Sequence, residues 1–131
     1  MIVVDTSALM AILLDEPQAQ PCMAALADAD RLLISAGTVA ETLIVADRRN
    51  VGEEAEKLIN GLGFEIIPVS LASAQSVAQA YRRWGKGVHP AALNFGDCFA
   101  YDLARTNACP LLFVGNDFSR TDIGAAGWLA A

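Results

Sequence analysis

Histidine and lysine are nearly missing from this chain: His89 is the one imidazole, and Lys57 and Lys86 are the two ammonium side chains. A single histidine ahead of a proline, with no GxSxG turn in the sequence, leaves a Ser-His-Asp hydrolase without its parts. Neither lysine sits in a GxxxxGK[ST] loop and no GxGxxG occurs, which removes the common nucleotide-binding motifs. Cysteine is sparse as well. Cys22, Cys98 and Cys109 form no CxxC pair and leave one thiol over, so the expectation is a reduced, cytoplasmic protein without a zinc site. The longest unbroken apolar run, Ala8 to Leu14, is far short of the roughly 20 residues that span a bilayer. The N-terminus also lacks the basic start of a signal peptide, so no membrane association is expected.

What is present is a hydrophobic, moderately acidic chain. Its 131 residues are 54% hydrophobic and 18% charged, the composition of one folded domain spanning 1–131. The net charge of −6 argues against a protein that coats nucleic acid. Acids gathered at a metal site would change that conclusion, because the rest of the chain is then nearly neutral.

Short apolar runs alternate with helical stretches. Met1 to Val4, Arg31 to Ser35, Phe64 to Val69 and Leu111 to Val114 read as strands. Helices are expected from Asp5 to Leu14, from Pro17 onward with proline at its first position, and from Gly37-Thr38 to about Asn50. Others are expected over Gly52 to Asn60, Leu71 to Trp84 and Asn94 to Thr106. A short last strand is expected near Ile123 or Trp128. This alternation predicts a parallel sheet covered on both faces, a three-layer α/β/α sandwich. Ligands in such sheets gather beyond the carboxyl ends of the strands.

Four acids fall at that edge, and each has a plain structural reading when taken alone. Asp5 follows the first strand and suits an N-cap. Glu41 lies three residues after Thr38, the spacing of a capping box, and Asp97 stands in the same relation to Asn94. Asp117 lies in the turn Gly115-Asn116-Asp117-Phe118, where Asn and Asp are common for local reasons. Together they make a different case. Like charges crowded at one edge are costly unless a cation joins them or a proton is taken up. An all-oxygen site of this kind suits Mg²⁺ or Mn²⁺, whose natural chemistry is phosphodiester hydrolysis.

The motifs Val3-Val-Asp5-Thr-Ser7-Ala, Thr38-Val-Ala-Glu41, Leu93-Asn-Phe-Gly-Asp97-Cys-Phe-Ala-Tyr101 and Leu112-Phe-Val-Gly-Asn116-Asp117-Phe118-Ser-Arg-Thr121-Asp122 occur in that order. In this the chain resembles the PIN-domain superfamily, and within it the VapC-type toxins of bacterial toxin–antitoxin pairs. The resemblance implies a PIN-like sandwich and an endoribonuclease using one or two Mg²⁺ or Mn²⁺ ions. It also implies a homodimer and a VapB-type antitoxin that occludes the acidic groove. By position Asp5, Glu41, Asp97 and Asp117 match the family's metal-site acids. Thr6 or Ser7 is then placed to hold Asp5 or a metal-bound water, and Asn116 and Asp122 stand where relatives carry further polar groups. Asp102, where relatives have a small residue, reads as a solvated or partner-facing charge.

The densest basic stretch is Arg82, Arg83 and Lys86, interleaved with Tyr81 and Trp84. It suits phosphate contacts and base stacking on single-stranded RNA. A solvated helix end with Trp84 in the core has the stronger case, because short charge runs are mostly solubilising faces. Arg120, beside Asp117, is a separate phosphate-binding candidate. Two other functions compete. A phosphatase with an aspartate nucleophile wants a second Asp two residues after Asp5, where Ser7 stands. A PIN-like binding module without turnover would keep the acids for folding or partner contact alone.

Overall fold

The computed structural model describes residues 1–126. The strands are β1 (Ile2–Val4), β2 (Leu32–Ser35), β3 (Glu65–Ile67) and β4 (Leu111–Leu112). The helices are α1 (Thr6–Leu13), α2 (Ala19–Asp28), α3 (Ala36–Arg48), α4 (Gly52–Gly61), α5 (Leu71–Trp84) and α6 (Phe95–Thr106). All strand pairs are parallel, in the order β3-β2-β1-β4, with Val3 in register with Leu33 and with Leu111.

The strands are too short to stand alone and are made stable by burial on both faces. Because side chains alternate along a strand, Val3, Leu33 and Leu111 point to one side, where Val77 and Trp84 of α5 and Tyr101 of α6 pack. Ile2, Val4, Ile34 and Leu112 point to the other, against Leu9 of α1, Cys22 of α2 and Ile59 of α4. Each such aliphatic side chain contributes about 1.5–3 kcal/mol when fully buried. The result is the expected three-layer α/β/α sandwich.

β1 has β2 on one side and β4 on the other, so the chain reverses its direction of travel across the sheet between β1 and β4. A crevice beyond the carboxyl ends is characteristic of such a switch. Asp5 leaves β1 there, and the 114–117 segment leaves β4. The two are stitched together: Asp5 N donates to Leu112 O at 3.0 Å, and Val114 N donates to Ser7 Oγ at 3.0 Å.

Several local expectations need correction. Pro17 precedes α2, whose N-cap is Gln18, because Asp15 takes a left-handed turn (φ 52°) that delays the helix. The Thr38–Glu41 capping box does not form. Ser35 caps α3 through Gly37 N, which places Thr38 on the buried face of the helix. β4 ends at Leu112, and the expected last strand near Ile123 is a single parallel bridge between Leu111 and Ala125. Trp128 lies outside the described residues. Among those described, no helix is long and apolar enough to cross a membrane.

Candidate active site

Asp5 is the deepest of the four acids, at 2% exposure. It caps α1, as its position suggests: Ser7 N and Ser7 Oγ both donate to Asp5 Oδ2, at 3.0 and 2.6 Å. Its other oxygen, Oδ1, is buried without a hydrogen-bond partner. Burial pushes the carboxyl up to about 6, opposed by the Ser7 bonds and reinforced by the charge of Glu41.

Glu41 reaches the same edge from the second turn of α3. Thr6 Oγ1 donates to Glu41 Oε1 at 2.6 Å, so Thr6 holds Glu41 and Ser7 holds Asp5. Two further threonines of α3 back this contact: Thr42 Oγ1 lies 3.0 Å from Thr6 Oγ1 and donates to Thr38 O at 2.8 Å. Thr38 Oγ1 is buried and unpaired.

Asp97 forms the expected capping box with Asn94. Asp97 N donates to Asn94 Oδ1 at 2.8 Å, and Asn94 N donates to Asp97 Oδ2 at 3.0 Å. Burial pushes its carboxyl up to about 7, against the Asn94 bond, and the charges of Asp5, Asp117 and Glu41 add to the rise. Asp117 is exposed, on a turn that Gly115 opens with φ 105°. Asp5 thus feels the charge of Glu41, and Asp97 those of Asp5, Asp117 and Glu41, so the four acids lie within electrostatic reach of one another. Among the described residues no three Asp, Glu, His or Cys side chains close around a common point. Three of the carboxylates are in part occupied, Asp5 by Ser7, Asp97 by the Asn94 backbone N–H and Glu41 by Thr6.

A sequence profile of the family described as PIN domain matches residues 2–124. A ribonuclease VapC of Mycolicibacterium smegmatis is 42% identical over 126 residues, covering 94% of this chain and 98% of the relative. The chain belongs to the VapC ribonucleases of the PIN-domain family. The PIN fold extends to solved structures of low identity. VapC20 of Mycobacterium tuberculosis, titled a Sarcin-Ricin loop cleaving toxin, superposes with a TM-score of 0.78 at 16% identity, covering 94% of this chain and 96% of that one. A toxin–antitoxin complex from Klebsiella pneumoniae gives 0.69 at 18% identity, with 93% of each chain covered.

The remaining candidates of this PIN domain separate by position. Asn116 is exposed beside Asp117, and its carbonyl accepts from Ser119 Oγ at 2.7 Å. Arg120 is exposed and tied to Pro90 O at 3.1 Å. Asp122 does not face the other acids: it accepts from Tyr101 OH at 2.5 Å and pairs with Arg83 at 3.6 Å. Arg83 also lies over the Trp84 ring at 4.5 Å, so it is engaged by both an acid and a ring. Arg82 and Lys86 line an apolar groove with Tyr81, Asn94, Phe95 and Phe99 that runs up to the Asp97 helix start. Trp84 is in the core, as the plainer reading has it. Asp102 is a correction. It is buried between α5 and α6, where Ser76 Oγ donates to it and Arg105 stands 3.8 Å away.

Sequence reasoning passed over Gly96. A Cβ there would overlap the Glu41 carboxylate, so the glycine leaves open the space that this carboxylate fills at the acidic edge. Its place between a cap residue and a site acid was the available signal.

A pH dependence follows from the two buried acids. Both have folded values above the ordinary 3.8, so the native state holds extra protons between about pH 4 and 7. Stability from these groups is fully present below about pH 4 and is lost as pH rises through 6 and 7. In chelator, the melting temperature is expected to fall from pH 5 to pH 8. A flat or rising profile would contradict the burial of these charges.

Proposed function

We infer that this PIN domain is a ribonuclease, the toxin of a toxin–antitoxin pair, and that it hydrolyses phosphodiester bonds within RNA at its acidic edge. The observation that carries this reading is Asp5 Oδ1, a buried carboxylate oxygen with no partner, set among three more acids. A domain that only bound a partner would gain nothing from such a charge, which costs stability unless a cation meets it.

The donor set fits Mg²⁺ or Mn²⁺, as one ion or two. These ions take oxygen ligands and keep several waters, so one or two carboxylates suffice for direct contact. Asp5 and Asp97 would hold the ion, with Glu41 and Asp117 completing the negative field. When bound, the ion supplies charge neutralisation at the phosphoryl group and acidification of a coordinated water. The chain's own side chains do the rest. Ser7 fixes Asp5 and favours its ionised form, Thr6 aims Glu41, and Arg82 and Lys86 offer the RNA backbone cations beside the exposed Phe95 ring.

We further propose a VapB-type antitoxin that covers the acidic groove, in keeping with the structural relative solved as a toxin–antitoxin complex. A homodimer would bury Ile44, which is 55% exposed on α3. The cytoplasm, where the RNA is, is the proposed site of action. The test is purified protein on total RNA with Mg²⁺ or with chelator. Discrete fragments that appear only with the metal are expected. Fragments of equal yield in chelator would exclude the metal-dependent mechanism.

A further inference from the structure

Asp117 stands on a segment with little regular structure of its own. Between Asp117 and Asp122 the chain makes one turn of 3-10 helix, Phe118–Arg120. Its own hydrogen bonds, from Ser119 Oγ to Asn116 O and from Thr121 Oγ1 to Phe118 O, give the segment its shape, and contacts from outside it set where that shape sits against the sheet. Phe118 is buried and packs on Phe113 with ring centroids 5.2 Å apart, which fixes how deep the segment sits. Its far end is held by a different kind of contact.

The Trp84 indole N–H can only donate, and it donates to Tyr101 OH at 2.9 Å. The single phenolic proton is then free for Asp122 Oδ1, at 2.5 Å. A short bond to an ionised acceptor is among the stronger hydrogen bonds. Tyr101 is 1% exposed, so its position is fixed by the core. Arg83 flanks Asp122 on the outer side, 3.6 Å from Oδ2. Tyr101 follows Asp97 by four residues on α6, which puts the two on one face of the helix, a turn apart.

We propose that Tyr101 and Asp122 form a latch that positions Asp117 against Asp97, with α6 as the ruler between them. Asp122 is thus a positioning residue and not a ligand of the ion. The inference rests on the reading of the acidic edge as a metal site.

The test compares Tyr101→Phe, Asp122→Asn and the double variant by Mn²⁺ titration calorimetry and by hydrogen exchange of the 115–122 segment. Each single variant is expected to weaken Mn²⁺ binding about tenfold, as loss of an outer-shell partner does. The double variant should be no worse than either, and Tyr101→Phe should have no further effect in an Asp117→Asn background. Exchange in the segment should rise about tenfold while the melting transition stays cooperative. Unchanged exchange, or unchanged Mn²⁺ affinity with faster exchange, overturns the latch. So does a Tyr101→Phe effect that persists in full without Asp117. Binding of Mn²⁺ that is indifferent to Asp5→Asn overturns the metal-site reading instead, and the exchange rates then decide the latch alone.

Discussion

Asp5→Asn is expected to end RNA cleavage and, in the same variant, to raise the melting temperature of the metal-free protein. The two effects share one cause. Asp5 is held with an ionisable oxygen out of water and without a hydrogen-bond partner, which lifts its carboxyl to about 6. Each pKa unit corresponds to about 1.4 kcal/mol, so ionised Asp5 costs the apo fold on the order of 2–3 kcal/mol at neutral pH. Asparagine keeps an acceptor for the two Ser7 donors and carries no charge. For a chain of this length that gain is roughly 5–10 °C. The variant should also lose the stabilisation that Mg²⁺ gives the native chain. An inactive variant that melts lower than the native protein in chelator would assign Asp5 to the fold alone.

Gly96→Ala is the second large effect. Alanine is the better helix former by about 1 kcal/mol, and this position lies in the first turn of α6. Its methyl group would nevertheless occupy the space of the Glu41 carboxylate. The neighbour in the way is the end of a flexible side chain, so the fold yields easily: Glu41 swings out and its bond from Thr6 breaks. Stability should therefore change little, while cleavage falls at least as far as in Glu41→Ala. Combining the two substitutions should cost no more than either, since both remove the same carboxylate from the same place. Full cleavage by Gly96→Ala would show that Glu41 is not needed where it stands.

How far the sequence led depended on the range of the interactions involved. The Asn94–Asp97 box was legible because both partners and both backbone groups lie within one turn. The similar spacing at Thr38 and Glu41 misled because Ser35, three residues earlier, caps the helix first. Thr38 is then carried into the interior and Glu41 is left free for Thr6, a partner 35 positions away. Asp102 looked solvated for a related reason. Its hydroxyl partner, Ser76, belongs to another helix, and nothing local announces that α5 covers it. Arg83 and Arg120 read alike as free cations, yet one is bound to Asp122 and the other to a carbonyl of the 90 loop. The sheet, by contrast, needed only the apolar runs that form its strands, and Asp5 was legible as the acid that ends the first of them.

The order of the strands bears on how this protein comes into being. β1 is made first and sits between β2, which follows about 30 residues later, and β4, which is more than 100 residues away. Half of its described backbone ladder must wait for β4, and such distant pairings fold slowly. During synthesis the same wait separates Asp5 from Asp117. A ribosome making this chain therefore carries Asp5 without Asp117 until more than 100 further residues have been added.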